Sequence, residues 1–155
     1  MNRTDVVPLA IFFVLVAAAA FTGSRFMPDV WYRSLSKPPW NPPDWVFAPV
    51  WTVLYVLIAL AGFLVWKSAG RVNAALVLWV AQMIFNALWT WLFFGRCDPA
   101  LALADIAMLL VCIVAFMVVA RATSPTASWF FAPYAAWVIY ASSLNLWIWL
   151  KNRHV

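Results

Sequence analysis

Long apolar segments separated by short polar breaks dominate the residue pattern of the chain. Five segments stand out, at about residues 6–25, 44–66, 73–94, 100–120 and 129–150. Each is close to the roughly 20 residues that a helix needs to cross the hydrocarbon core of a bilayer. Because no aqueous domain, low-complexity tract or repeat remains between them, the pattern predicts one all-α integral membrane domain over residues 1–155, a bundle of five transmembrane helices.

Capping and breaking residues predict where these helices begin and end. Asp44 and Asp98 are predicted N-caps of the second and fourth helices, and Gly70 separates the second helix from the third. Pro49 falls in a first helical turn, where the missing N–H costs little. Residues 123–128 are predicted to form a polar turn before the fifth helix.

The connection between the first two segments, residues 26–43, contains five prolines and is predicted to be extended and turned rather than helical. The first segment also permits a second interpretation, a cleavable leader, because Arg3 precedes it and small residues occupy positions 17–20. Its length and the acidic Asp5 favour a retained helix.

Composition supports a membrane protein and excludes several other classes. The chain is 67% hydrophobic and only 10% charged, with a mean hydropathy of +0.90, whereas soluble domains are about 45–50% apolar and about 25% charged. A cytosolic enzyme and a disordered chain are therefore excluded. The net charge of +5 comes from scattered Lys and Arg, which argues against nucleic-acid binding, since that would need a basic stripe on one face.

The distribution of Lys and Arg between the connections predicts the orientation. Six lie on the side of the C-terminus and the proline-rich connection, and four lie on the other side, so the positive-inside rule favours the C-terminus inside. Short connections make successive helices antiparallel, and five of them place the termini on opposite faces of the membrane.

The titratable residues offer few candidates for acid/base or metal-dependent catalysis. Asp105 is the one carboxylate well inside a predicted helix; it can be functional, but we expect it to reach the interface or bond a neighbouring helix. His154 is the only histidine, and Cys97 and Cys112 match no zinc or redox spacing. No metal site, required cofactor or acid/base set is therefore predicted.

Eleven of the twelve tryptophans fall into two groups by depth. Seven lie near predicted helix ends, as in the aromatic belts of membrane proteins: Trp31, Trp40, Trp45, Trp66, Trp129, Trp147 and Trp149. Four lie deeper, at Trp51, Trp79, Trp89 and Trp137. A deep indole N–H needs a hydrogen-bond partner or a cavity, because hydrocarbon offers it no acceptor.

Helical spacing places several deep aromatic and polar residues on shared faces of three helices. The stripes are Trp51 and Tyr55 on the second helix, Gln82, Asn86, Trp89 and Phe93 on the third, and Tyr134, Trp137, Ala141 and Asn145 on the fifth. The amides can simply pair with neighbouring helices. Together, however, the stripes predict the rim of an aromatic cavity that opens toward the proline-rich connection.

A set of motifs in order along the chain resembles a known family. These are Trp31-Tyr32, Leu35, Lys37-Pro38, Trp40-Asn41-Pro42-Pro43, Trp45, Phe47-Ala48-Pro49, Trp51, Leu54-Tyr55, Gln82, Asn86, Trp89, Phe93-Phe94-Gly95, Ala102-Leu103-Ala104-Asp105, Pro133-Tyr134, Trp137 and Leu144-Asn145. They resemble the signature of the tryptophan-rich sensory protein family, also called the TspO/MBR, translocator protein or peripheral benzodiazepine receptor family, and the chain looks like a bacterial member.

The resemblance implies a five-helix bundle, often a homodimer, with an internal pocket under the first loop. The ligands that it implies are porphyrins such as protoporphyrin IX and haem, cholesterol in animal members, and synthetic isoquinoline carboxamides or benzodiazepines. The ligand-binding positions carried over are Trp31 and Tyr32 in the lid, and Trp51, Tyr55, Gln82, Asn86, Trp89, Phe93, Trp137, Ala141 and Leu144 in the pocket.

Two positions depart from the family pattern. The stretch from Leu144 to Lys151 lacks the tyrosine of the animal cholesterol motif, which lowers the expectation of sterol recognition. Leu101 replaces an aromatic residue that often precedes the Ala-Leu-Ala-Asp stretch. The pocket wall is expected to differ there.

Three functions remain open at the level of the sequence. The leading hypothesis is a membrane-embedded sensor that binds porphyrins and affects tetrapyrrole or stress regulation. The alternative is a light-dependent enzyme that degrades protoporphyrin, with Trp51 and Trp137 as the catalytic tryptophans that the family resemblance implies. A porphyrin or sterol transporter is a third, which the odd number of spans and the lack of a broken helix pair disfavour.

Overall fold

The computed structural model describes residues 3–26 and 30–152, and helices make up most of this part of the chain. Seven α-helices are labelled in chain order: α1 Arg3–Arg25, α2 Val30–Ser34, α3 Phe47–Ala69, α4 Ala74–Thr90, α5 Pro99–Ala120, α6 Pro125–Phe130 and α7 Ala132–Lys151. A 3₁₀ turn, Asp44–Val46, leads into α3, and a π-helical turn, Trp91–Gly95, follows α4.

Four helical segments are long and apolar enough to cross a membrane: Asp5–Arg25, Asp44–Ala69, Ala74–Gly95 and Pro99–Ala120. The chain is therefore a multi-pass integral membrane protein. The predicted count of five spans is not confirmed, because α7 is not among the four. Helix α7 has 20 residues, which gives it a length of about 30 Å, but its tryptophan, tyrosine, serine and asparagine side chains lower its hydropathy.

Local capping explains most of the observed boundaries. The Asp98 carboxylate accepts hydrogen bonds from the N–H groups of Ala100, at 3.1 Å, and Leu101, at 2.9 Å, so the predicted cap of α5 is confirmed. Pro49 lies in the first turn of α3, as predicted. Gly70 ends α3 with φ of 64°, a left-handed conformation that glycine adopts without a Cβ clash.

Three predicted boundaries are wrong. Asp44 is the first residue of the 3₁₀ turn, and its side chain makes no capping hydrogen bond there. The proline-rich connection contains the helix α2. Residues 30–34 can form it because none of them is a proline and the nearest prolines are Pro28 and Pro38. Residues 125–130 form α6 rather than a turn, because the Ser124 hydroxyl accepts a bond from the Ala127 N–H and caps it.

The predicted fifth segment is consequently two helices. Phe131 separates α6 from α7, with φ of −84° and ψ of −12°. Pro133 lies in the first turn of α7 and has no N–H to donate. A single uninterrupted helix would lose that backbone hydrogen bond, so the break falls just before the proline.

The helices enclose a main apolar core, and a smaller buried cluster lies around Tyr32 and Phe93. Helix α1 packs against α3 and α4, α4 against α5, α5 against α7, and α3 against α6. A close approach lies at Gly62 of α3, where a Cβ atom would come within 2.6 Å of the Phe12 ring and 2.8 Å of the Trp79 ring. Trp79 donates its indole N–H to the Ile58 carbonyl at 2.8 Å, so this deep tryptophan belongs to the core.

The proline-rich segment that follows α2 lies along the C-terminal half of α7. Asn152 exchanges two hydrogen bonds with the backbone of Ser36, at 2.9 and 3.1 Å. The Tyr140 hydroxyl donates to the Trp40 carbonyl at 2.7 Å, and the Trp40 ring meets that of Trp147 at 5.0 Å. The segment is thus fixed to α7 at two levels.

Candidate ligand-binding site

A chain of hydrogen bonds joins α3, α4 and α7 in the interior. The Tyr55 hydroxyl donates to Asn86 Oδ1 at 3.2 Å, and Asn86 Nδ2 donates to the Tyr134 hydroxyl at 3.0 Å. The Tyr134 hydroxyl donates in turn to Gln82 Oε1 at 3.0 Å. Gln82 and Asn86 are one helical turn apart, so both amides point at the same neighbours.

Aromatic rings cover this polar chain on one side. The Trp51 ring lies 5.1 Å from that of Tyr55 and 6.2 Å from that of Tyr134. Because Trp51 and Tyr55 are four residues apart on α3, they lie on one helical face. Part of each predicted stripe on α3, α4 and α7 therefore meets here: Trp51 and Tyr55, Gln82 and Asn86, and Tyr134.

A second aromatic cluster lies at the end of α4. Trp89 and Phe93 stack with their ring centroids 5.2 Å apart and an angle of 20° between the planes. The Trp89 N–H donates to Asn145 Oδ1 at 3.0 Å, and Asn145 Nδ2 donates to the Pro99 carbonyl at 2.8 Å. Phe93 belongs to the π turn, a feature that is frequent at functional sites.

Helix α2 covers this second cluster. The Trp31 and Tyr32 rings meet the Phe93 ring at 5.8 and 6.2 Å. The Lys37 ammonium lies 4.4 Å from the centre of the Tyr32 ring. Burial raises the pKa of the Tyr32 phenol, and Asp44 acts in the same direction, against a smaller lowering by the hydrogen bond with Asn41. The phenol is therefore neutral near pH 7.

Trp137 lies apart from the hydrogen-bonded chain. Its ring meets Phe47 at 5.8 Å and Tyr140 at 5.5 Å, and it lines an apolar groove of about 640 Å³ between α3 and α7. The other lining residues are Pro49, Val50, Val53, Leu54, Pro133, Ala136 and Tyr140. The predicted cavity rim groups Trp137 with Tyr55, Gln82 and Asn86, but none of these three lines the groove.

The two remaining carried-over positions are apolar. Ala141 is half-buried and packs against the main core, and Leu144 is buried. Both lie on α7 near Asn145, at the level of the second cluster.

The three interior amides all bond protein atoms. Gln82 also donates to the Trp79 carbonyl, at 2.8 Å, so Gln82, Asn86 and Asn145 each bond a neighbouring helix or their own. The interpretation that these amides pair helices together therefore accounts for the bonds observed. A ligand would have to exchange these bonds or contact the rings around them.

Asp105 departs from its prediction. Both carboxylate oxygens are buried, and neither has a hydrogen-bond partner in the described part of the chain. The expected bond to a neighbouring helix is thus not seen. In the same described residues, no group of three or more His, Cys, Asp or Glu is arranged to hold a metal ion.

Sequence reasoning left Tyr134 out of the candidate site, although it lies on a predicted stripe. The structure places its hydroxyl at the centre of the hydrogen-bonded chain and its ring against Trp51. The sequence signal that could have identified Tyr134 was its spacing of three residues from Trp137, which puts both residues on one side of α7. Phe47, whose ring meets Trp137, was also omitted.

Comparisons with known proteins agree with the sequence motifs. The profile described as the TspO/MBR family matches residues 8–150. The tryptophan-rich protein TspO of Chlorobaculum tepidum is 41% identical over 155 residues, covering 96% of this chain and 97% of that protein. The tryptophan-rich sensory protein of Cereibacter sphaeroides is 40% identical over 139 residues, covering 88% and 87%.

An animal protein matches over a similar length. The translocator protein of Homo sapiens is 34% identical over 154 residues, covering 95% of this chain and 91% of that protein. The profile matches most of the chain, and these relatives are each more than 30% identical to it. Both findings indicate the same family. The chain belongs to the TspO/MBR family of tryptophan-rich membrane proteins.

Proposed function

We propose that this protein binds porphyrins, such as protoporphyrin IX or haem, and similar flat apolar ligands inside the membrane, and that it acts as a sensor of tetrapyrroles. In this proposal five helices, with α6 and α7 as the fifth, form the bundle, and the protein works as a homodimer. The proline-rich segment and α2 form the lid. Ligand-dependent changes in the lid or the dimer then carry the signal.

The observation that carries this proposal is the pairing of aromatic faces with buried amides across three helices. Trp51 lies against Tyr55 and Tyr134, and Trp89 stacks on Phe93. Aromatic side chains bury about 150–250 Å² each and favour offset stacking on other π systems. A few amides among such rings orient an apolar ligand without the cost of a buried charge.

The lid carries two cationic side chains that the carboxylates of a porphyrin could contact. The Lys37 ammonium lies over the Tyr32 ring, which meets the Phe93 ring, and Arg33 is exposed on α2, the helix that contains Tyr32. The two propionates of protoporphyrin would point at this basic edge while the ring stays among the aromatic side chains. The same cations could instead contact lipid phosphates, and an esterified porphyrin separates the two roles.

Titration of protoporphyrin IX in the dark, followed by tryptophan fluorescence, tests the proposal on the protein in lipid nanodiscs. We expect saturable quenching that weakens at least about fivefold in Trp51→Leu, because a stacking face is lost. Trp129→Leu is the matched control, since Trp129 is 69% exposed on α6. Linear quenching equal to that of empty nanodiscs would refute binding.

Light-dependent breakdown of the porphyrin is the second candidate. It is favoured by the position of Trp51, whose ring lies beside two tyrosine rings that could return an electron to an oxidised indole. Trp137 is the other tryptophan that could donate an electron to the excited porphyrin. Molecular oxygen would be the oxidant. Illumination of the complex distinguishes the functions: an unchanged Soret band eliminates the enzyme, whereas a loss of the band that Trp137→Phe suppresses without loss of dark binding supports it.

A further inference from the structure

Two polar side chains of α7 hydrogen-bond the proline-rich segment that follows α2, residues 35–43. We propose that Asn152 and Tyr140 form a latch that keeps the lid closed, and that opening of this latch sets the rate at which the ligand enters and leaves. Neither residue is among the proposed ligand contacts, so the latch acts on the lid and not on the ligand. This inference rests on the proposed function and adds the regulation of access to the same site.

The latch consists of three hydrogen bonds between side chains of α7 and the backbone of the segment. Asn152 Oδ1 accepts from the Ser36 N–H at 2.9 Å, and Asn152 Nδ2 donates to the Ser36 carbonyl at 3.1 Å. The Tyr140 hydroxyl donates to the Trp40 carbonyl at 2.7 Å. All three bonds are exposed, so water competes for the same groups and the net contribution of each bond is small. The segment can therefore detach locally while the bundle stays folded.

Contacts within the lid join this segment to α2. The Tyr32 hydroxyl donates to Asn41 Oδ1 at 3.5 Å, and the Lys37 ammonium lies 4.4 Å from the centre of the Tyr32 ring. Leu35, at the start of the segment, is buried in the same cluster as Tyr32 and Phe93. Release of the segment from α7 therefore also loosens the cover over Phe93, one of the proposed ligand contacts.

Ring contacts attach the lid to the bundle beside the latch. The Trp31 and Tyr32 rings meet the Phe93 ring at 5.8 and 6.2 Å, and the Trp40 ring meets that of Trp147 at 5.0 Å. Apolar contacts of this kind are not directional, so the rings can shift while they stay in contact. A hydrogen bond is lost over a much shorter displacement. The latch bonds therefore define the closed position of the lid.

A latch and a ligand contact have different effects on binding. In the proposed bound state the lid is closed over the ligand, so the latch bonds are the same in the free and the occupied protein. Weakening them makes opening easier in both states, so association and dissociation accelerate by the same factor and the Kd does not change. Loss of a ligand contact instead raises the Kd, mainly through faster dissociation.

Hydrogen–deuterium exchange of the full chain in lipid nanodiscs, without ligand, tests the latch itself. We expect Asn152→Ala and Tyr140→Phe each to speed exchange in residues 35–43 about fivefold, the effect of one lost hydrogen bond. Ser143→Ala is the matched control, because its exposed hydroxyl bonds the Tyr140 carbonyl within α7. Two variants are needed because Asn152 Nδ2 also donates to the Ile148 carbonyl at 2.8 Å, so Asn152→Ala alone could act by loosening α7. Unchanged exchange in both variants would refute the latch.

Stopped-flow binding of protoporphyrin IX to the same variants tests whether the latch controls access. We expect Asn152→Ala and Tyr140→Phe to raise the association and dissociation rates about fivefold, with the Kd within about twofold of the parent value. Asn152→Asp should be intermediate, since a carboxylate can still accept from the Ser36 N–H but cannot donate to the Ser36 carbonyl. Ser143→Ala should bind at the rates of the parent protein.

Three other results would overturn part of this account. If exchange rises in the latch variants but both binding rates keep their parent values, the ligand does not pass the lid and the latch does not control access. If the Kd rises through faster dissociation alone, the latch residues contact the ligand, which also contradicts the proposal. If the parent protein shows no saturable binding, the proposed function fails, while the ligand-free exchange still decides whether the latch exists. A melting curve for each variant confirms that it is folded.

Discussion

Asn86 links three helices with one side chain. Its oxygen accepts from Tyr55 on α3, and its amide nitrogen donates to Tyr134 on α7. Such bonds contribute about 0.6 kcal/mol on average in membrane proteins. The cost of leaving the Tyr55 hydroxyl without its acceptor is larger, because a buried polar group without a partner costs about 1–3 kcal/mol.

Replacing Asn86 with leucine is therefore expected to destabilise the fold. Asn86→Leu removes both bonds and leaves the Tyr55 hydroxyl without its acceptor, while Tyr134 keeps its bond to Gln82. We therefore expect a loss of about 1–3 kcal/mol in the free energy of unfolding. Unfolding by SDS in mixed micelles measures it. Val80→Leu on the exposed face of the same helix should change stability by less than about 0.5 kcal/mol, and an equal loss in both variants would argue against the link.

Replacing Asp105 is expected to change the free energy of unfolding in the opposite direction. Both its oxygens are buried without a partner in the described residues, so an apolar side chain of similar size should remove a desolvation penalty. We expect Asp105→Leu to raise the free energy of unfolding by about 1 kcal/mol, whereas Asp105→Asn keeps the unpaired polar group and should not. A marked destabilisation by Asp105→Leu would show that the carboxylate has a partner.

Lys37 should recognise the charge of a porphyrin rather than its ring. Lys37→Gln is expected to weaken binding of protoporphyrin IX by about two- to fivefold, the effect of one partly exposed ion pair, and to leave binding of its dimethyl ester unchanged. Arg121→Gln, at the other end of the bundle, is the control. Fluorescence titration of both porphyrins measures the difference, and an equal loss for the ester would contradict a propionate contact.

At this scale, helical spacing grouped several polar and aromatic residues correctly, but not Trp137, which lies apart from the hydrogen-bonded chain that contains Tyr134. Residues four apart had to share a face, so Trp51 with Tyr55 and Gln82 with Asn86 could be paired from the sequence alone. The direction of each bond could not, because it depends on which helices are neighbours. The lack of a partner for Asp105 depends on the same long-range packing.

The helices themselves were predictable where one strong local signal was present. Asp98 caps α5 and Gly70 ends α3 because their side-chain and backbone preferences act over a few residues. The short helices α2 and α6 were missed because prolines nearby suggested irregular chain. Proline, however, is well accommodated at the start of a helix, as at Pro125.

Packing of α1 on α3 and α4 depends on one glycine. A methyl group at Gly62 would overlap the Phe12 and Trp79 rings, so we expect Gly62→Ala to cost about 1–3 kcal/mol of unfolding free energy. Gly23→Ala is the matched control, since its Cβ would find Thr90 Oγ1 4.0 Å away. Thermal unfolding followed by circular dichroism measures both. Equal melting temperatures would show that α1 can move aside.

The whole molecule combines a tightly packed interior with an exposed apolar exterior. Helix α1 is the most peripheral of the spans, with 11% of its apolar window buried, while Tyr134 at the centre is fully buried. The sequence predicted a membrane bundle with convergent aromatic stripes. It could not predict that Trp137 lines a groove with Val53 and Leu54 of α3, apart from the hydrogen-bonded chain, because that depends on how α3 and α7 are placed beside each other.

A structure of the protein in lipid nanodiscs with bound protoporphyrin IX tests the central claim most directly, since that claim concerns where the ring lies. The account predicts the macrocycle within about 4 Å of the Trp51 ring, between the α3 and α4 aromatic clusters, with its propionates toward Lys37. A macrocycle bound on the outer face of α1, or between two protomers with the Trp51, Tyr55 and Tyr134 contacts unchanged, would contradict it.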